Sequence, residues 1–177
     1  MSTIRLVPLA LEHLAALREI MRDAEVLRFT RTPDPMPQDW LRQWFDRYDG
    51  HDRIAFAVIA DDEAEGDELV GYAVTGPVDR EALEVELGYA IAPGARGRGV
   101  ATQTLRLLTR WAFEEGMVRV TALISVQNPA SARVAEKVGY AFEGVLRSRH
   151  HIGDQRVDLQ SWSILPGELD RRPDAPS

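Results

Sequence analysis

The stretch from Leu83 to Ile124 constrains the fold more than any other part of the chain. Leu83, Val85, Leu87, Tyr89 and Ile91 alternate with Glu84, Glu86, Gly88, Ala90 and Ala92. That period of two is the pattern of a strand with one buried face. Pro93-Gly94 ends the run. A helix begins near Gly99, with Ala101, Leu105, Leu108 and Ala112 as its apolar stripe, and Gly116 stops it. Val118, Val120, Ala122 and Ile124 then alternate again. A strand, a turn, a helix and a second strand over residues 83–125 predict a right-handed parallel crossover.

The flanking segments add strands and helices around that unit. Ile4–Leu9 reads as a first strand, and residues 11–24 as an amphipathic helix on Leu14, Leu17 and Met21. Residues 32–37 are a proline-rich break. Residues 38–48 form a second helix with Trp40, Leu41, Trp44, Phe45 and Tyr48 in a stripe, suited to a core face or to a mobile lid. Ile54–Ala60 and Leu69–Thr75 read as a hairpin joined by the acidic loop 61–68. Asn128 and Pro129 suit the cap and first position of a short helix that Gly139 closes. Tyr140–Arg149 and Val157–Leu165 are two last strands, turning at Gly153-Asp154. The expectation is one α/β (α+β) domain over residues 1–166, with a mixed, mostly antiparallel sheet of six or seven strands and about four helices. Residues 167–177 are a polar tail, expected to be flexible.

Composition narrows the chemistry. The formal charge of −7 argues against a nucleic-acid partner, which needs a basic face. The chain has no cysteine, which excludes thiolate catalysis and cysteine-ligated metal. Four histidines show no metal-ligand spacing, so no metal is expected. No apolar run approaches the ~20 residues of a membrane span. The N-terminus lacks the apolar core of a secretory signal, so a cytoplasmic location is expected.

The acids are unevenly spread. Six of the eight residues 61–68 are acidic, whereas residues 87–113 contain no acid. The chain's average of 28 acids in 177 residues would place about four in such a stretch. It carries Arg96, Arg98, Arg106 and Arg110 instead. The core of this gap is Arg96-Gly97-Arg98-Gly99-Val100-Ala101-Thr102, a Gly- and Arg-rich turn opening a helix. Converging backbone amides and a helix N-terminus there suit a phosphate or pyrophosphate. Neither a Walker loop nor a Rossmann fingerprint is present.

Arg96-Gly97-Arg98-Gly99-Val100-Ala101 fits Arg/Gln-x-x-Gly-x-Gly/Ala. In this the chain resembles the GNAT N-acetyltransferase superfamily, whose acetyl-CoA pyrophosphate loop has that pattern. The later block from Asn128 through Ser131, Glu136-Lys137, Gly139-Tyr140 and Glu143-Gly144 to Leu146-Arg147 resembles its ribosomal-protein N-terminal acetyltransferase (RimJ/RimL) branch. The resemblance spans Ile4 to Leu165.

It implies an acetyl-CoA-dependent transfer to a primary amine, in a ternary complex without a covalent enzyme intermediate. The acceptor implied is a protein N-terminal amine or a small-molecule amine, and the net negative charge favours a cationic one. The cofactor's pyrophosphate would lie on residues 97–102, with Arg96 and Arg98 as counter-charges. Its pantetheine arm would run beside Tyr89, Ala90 and Ile91, and Asn128 would be a further contact. Glu86, beside the small residues Gly88 and Ala90, is a candidate general base. Asp158 is a second acid that could hold the amine. Many members carry a tyrosine acid where this chain has Ala135. In this branch the serine at Ser131 is its suggested substitute. A homodimer is also implied. The competing reading is a non-catalytic acyl-CoA-binding regulatory domain.

Overall fold

The computed structural model describes residues 3–62 and 66–169. Among the described residues seven strands form one sheet in the order β1-β2-β3-β4-β5-β7-β6. They are β1 (Thr3–Pro8), β2 (Ala55–Asp62), β3 (Gly66–Thr75), β4 (Glu84–Ile91), β5 (Arg119–Ser125), β6 (Ala141–Ile152) and β7 (Gln155–Ile164). Among these described strands β4 and β5 pair in parallel, and every other neighbouring pair is antiparallel. The crossover between β4 and β5 carries α4 (Val100–Glu114), as the alternation and helical stripe require. The described residues hold five α-helices: α1 (Leu14–Met21), α2 (Ala24–Phe29), α3 (Trp40–Phe45), α4, and α5 (Pro129–Val138).

The two faces of the sheet are covered separately. Val85, Leu87 and Ile91 of β4 pack with Leu105, Leu108 and Ala112 of α4 and with Ala135 and Val138 of α5. Leu108 and Ala112 have no exposed surface, so truncating Leu108 to Ala would cost about 2–5 kcal/mol. On the opposite face Tyr72 and Ala90 pack with Leu17, Met21, Val26 and Leu41 of α1–α3.

Several boundaries differ from expectation. The helix expected over residues 11–24 is a 3-10 turn at Leu11–His13, then α1, then a separate α2. The break falls at Asp23, which leaves helical backbone to cap α2 by accepting from the amides of Glu25 and Val26, both at 3.2 Å. The second helix is shorter than residues 38–48, covering Trp40–Phe45. Leu83 has φ +55 and precedes the strand rather than starting it. The hairpin strands extend into the acidic stretch to Asp62 and from Gly66, because Arg5 on β1 pairs with Asp61 at 2.7 Å and with Asp67. Residues 63–65 of that loop and 170–177 of the expected tail lie outside the described residues. Leu169, at the start of that tail, packs against the core. Among the described residues no helix is long and apolar enough to cross a membrane.

Candidate functional site

The site follows from an incomplete strand pair. β4 and β5 are joined only at Glu84–Glu86 against Arg119–Thr121. Beyond Glu86 the two strands separate, although β4 stays paired to β3 and β5 stays paired to β7. A cleft of about 840 Å³ opens there, with Gly88, Tyr89 and Ala90 on one wall and Leu123, Ile124 and Ser125 on the other. Unpaired strand edges leave main-chain donors and acceptors for an extended ligand.

One end of the cleft is the start of α4. Gly97 and Gly99 have φ +73 and +82, a left-handed backbone that L side chains rarely adopt. A Cβ at either would meet nothing within 4 Å, so the glycines leave open space around the turn. No side chain caps the helix at Gly99. The first-turn residues Val100, Ala101 and Thr102 line the cleft with uncapped amides at the positive end of the helix dipole. This arrangement fits a pyrophosphate group, and the split strands fit an extended arm attached to it.

The two arginines of the turn have different positions. Arg96 donates from Nε to the Ile91 carbonyl at 3.0 Å and pairs with Asp23 and, at 3.1 Å, with Glu25. Its charge is matched by the first turn of α2, and it serves as a strut between that helix and the turn. Arg98 is exposed and is not among the residues lining the cleft.

On the α5 side, Asn128 caps the helix by accepting from the Ser131 amide at 3.0 Å, and it lines the cleft as well. Ser131 Oγ lies 2.9 Å from the Tyr89 hydroxyl. Burial pushes that phenol up to about 12, so it remains protonated at neutral pH.

On the opposite sheet face Glu86 faces the cleft beside Gly88. Glu86 is exposed to water at the open mouth while lining the cleft wall. Burial raises its pKa above the usual carboxylate range, and Arg149, Arg31 and Arg53 partly oppose that rise. Trp44, Tyr48 and Tyr72 form an aromatic wall nearby, with Trp44 4.8 Å from Tyr48 and 5.5 Å from Tyr72 between ring centroids.

The cleft therefore gathers Glu86, Tyr89, Ala90, Ile91, Arg96, Gly97, Gly99, Val100, Ala101, Thr102, Asn128 and Ser131. Asp158 is placed elsewhere: its carboxylate accepts the Ser148 amide at 2.7 Å, where Ser148 has φ +55 and the β6–β7 register shifts. Of the two adjacent histidines, His150 lines the cleft and His151 does not. Sequence reasoning missed the Tyr89 side chain and the three arginines around Glu86. No local signal announces them, because they come from segments far apart in the chain. Among the described residues no group of His, Asp and Glu is arranged to hold a metal.

Residues 3–141 match the acetyltransferase (GNAT) domain family. The YdaF protein of Bacillus subtilis (strain 168) is 30% identical over 131 residues, which is 73% of this chain and 67% of that protein. A phosphinothricin N-acetyltransferase of Streptomyces coelicolor is 31% identical over 119 residues, 64% of this chain and 67% of that one. The fold is similar to spermidine N-acetyltransferase from Vibrio cholerae, solved with CoA and spermine. That likeness has a TM-score of 0.81 at 18% identity and covers 93% of this chain and 96% of that one.

Proposed function

The chain belongs to the acetyltransferase (GNAT) domain family, and from that premise we propose that it acetylates a primary amine by direct transfer in a ternary complex. The observation that carries this reading is the parting of β4 and β5 between an uncapped helix start and the side chains of Glu86 and the Ser131–Tyr89 pair, which lie on opposite sheet faces.

Acetyl-CoA, when bound, supplies the acetyl group as an activated thioester. Residues 97–102 would hold its pyrophosphate, and the strand edge at Tyr89–Ile91 together with Asn128 would hold its arm. The protein's main contribution is positional, because bringing an amine into contact with a held thioester removes most of the entropic barrier. Glu86 accepts the proton that the amine nitrogen sheds as its bond to the acetyl carbon forms. A carboxylate with a raised pKa suits that task near neutral pH. Ser131 Oγ, backed by the Tyr89 hydroxyl, gives a proton to the sulfur as the carbon–sulfur bond breaks. In this reading the pair substitutes for the tyrosine that many family members carry at the position of Ala135. Asp158, on β7, holds the irregular β6 backbone at Ser148 rather than the amine itself.

The acceptor is a small-molecule amine, as the names of the phosphinothricin and spermidine enzymes suggest, or a protein N-terminal amine. The cytoplasm, where acetyl-CoA meets such amines, is the proposed compartment. A homodimer is proposed through the exposed apolar side chains Phe142, Val145 and Leu146 of the edge strand β6, and sedimentation tests it. The enzyme reading is tested by following CoA release over a panel of amines. Tight acetyl-CoA binding without acceptor-dependent CoA release from any amine would favour the regulatory-domain alternative.

A further inference from the structure

The charge around Glu86 opposes the charge of the whole chain. Arg31 follows α2, Arg53 precedes β2 and Arg149 lies on β6, yet all three line the same end of the cleft. Each acts electrostatically on the Glu86 carboxylate. Among the described ion pairs none includes Arg31, Arg53 or Arg149. The only other cleft acid among the described residues is Glu25, and it is matched by Arg96. Three guanidiniums therefore share one carboxylate, leaving a local positive excess within a protein of net charge −7.

These arginines are not placed for the cofactor's phosphates. Glu86 and Ile91 lie five residue steps apart along β4, or about 16 Å at ~3.3 Å per residue. The pyrophosphate turn lies beyond Ile91, at the far end. Arg31 is also fixed in place: its Nε and Nη2 lie 3.2 and 3.1 Å from His150 Nδ1. Accepting from a guanidinium requires Nδ1 to be unprotonated, so His150 orients Arg31 without neutralising it.

We infer that the acceptor carries an anionic group, a carboxylate or a phosphorus oxyanion, a few bonds from the amine, held by Arg31, Arg53 and Arg149 while Glu86 faces the nitrogen. This deepens the proposed function and rests on it for the identity of the reacting amine. The arginines do two things. Their planar forks match the oxygens of such an anion. Their field also disfavours an ammonium beside them, so the amine loses its proton more readily. A polyamine would have to bring further cations into that field. This proposal runs against the expectation of a cationic acceptor drawn from net charge, because it weighs where the charges stand rather than their sum.

The test uses the full chain saturated with CoA. Calorimetric binding is measured for an acidic α-amino acid, an aminophosphonate, a peptide with an acidic N-terminal residue, a neutral amine of matched size, and a polyamine. CoA release from acetyl-CoA is followed with the same panel. Acidic amines should bind at least about tenfold more tightly than the neutral amine, and Glu86→Gln should tighten that binding further. Arg53→Ala and Arg149→Ala should each weaken acidic-amine binding about tenfold, and weaken it more than neutral-amine binding. The amino-acid and peptide arms then separate a small acceptor from a protein N-terminus. The inference fails if the polyamine or neutral amine binds as well as the acidic ones, or if the arginine variants leave acidic-amine binding unchanged. Binding without CoA release from any acceptor would instead fail the acetyltransferase reading and leave the anion site standing.

Discussion

The hydroxyls of Tyr89 and Ser131 lie 2.9 Å apart, joining the free edge of β4 to the first turn of α5. Neither residue is close to the other in sequence, and each has an ordinary local reason to be where it is. Together they form a two-hydroxyl chain with the half-buried phenol behind the serine. If that chain delivers the proton to the departing sulfur, Ser131→Ala should lower kcat about a hundredfold, the low end for general acid catalysis. Tyr89→Phe should lower it less, and the double variant should lose no more than the serine variant alone. The KM for acetyl-CoA should move little. Steady-state kinetics on the three variants decides it, and fully additive losses would separate the two roles.

Glu86 should set the acid limb of the pH profile. Its carboxyl lies above the usual range because of burial, so kcat/KM should fall as pH drops through that raised value. Glu86→Gln should remove the limb and cost about two orders of magnitude in kcat. Stability should move the other way. A carboxyl whose folded pKa is raised destabilises the fold once pH exceeds the unfolded value, and this penalty grows until pH passes the folded value, above which it stays constant. The glutamine variant should therefore melt higher than the wild type at pH 8, and the gap should close near pH 4. A lower melting temperature at pH 8 would contradict the burial argument.

Much of this architecture was legible because its signals are local. The alternation of Val85, Leu87, Tyr89 and Ile91, the stripe of Leu105, Leu108 and Ala112, and the Asn128-Pro129 helix start each depend on neighbours along the chain. The Gly-Arg turn was legible for the same reason. The break at Asp23 was not, because an aspartate can continue a helix or cap a new one. Here Arg96, from a distant turn, pairs with the carboxylate that caps α2. The separate positions of Arg96 and Arg98, the placement of Asp158 and the meeting of three arginines around Glu86 are likewise tertiary facts. Residue type allowed each of them a role that only the fold could assign.

The Arg96–Asp23 pair makes the cofactor turn depend on α2. Burial alone would raise the Asp23 pKa, but the Arg96 guanidinium and the Val26 and Glu25 amides hold it below the usual value. Arg96→Ala should destabilise the protein by about 1–3 kcal/mol by leaving a half-buried carboxylate without its partner. Asp23→Ala should lose the pair and the helix cap together, and the double variant should cost less than the sum. A lowered folded pKa gives stability that is present above the unfolded value and lost as pH falls through the folded one. The difference between wild type and Arg96→Ala should therefore shrink below about pH 4 in thermal melts. The variant should also raise the KM for acetyl-CoA, because Arg96 Nε holds the Ile91 carbonyl beside the turn.

Gly99 offers a way to separate backbone strain from cofactor binding. At φ +82 a Cβ is strained, yet it would touch nothing within 4 Å, so Gly99→Ala costs conformational energy without a clash. The expected loss is about 1 kcal/mol. The added methyl would also stand beside the uncapped amides of Val100 and Ala101, where a pyrophosphate must come close. The KM for acetyl-CoA should therefore rise by more than the stability loss explains, while the KM for the amine changes little. Gly94→Ala is the matched control, since that glycine also has open space around it but an ordinary backbone and no place in the cleft. It should leave both the melting temperature and the cofactor KM near wild type. Equal effects from the two substitutions would show that the turn tolerates a side chain, and that its amides do not receive the phosphates.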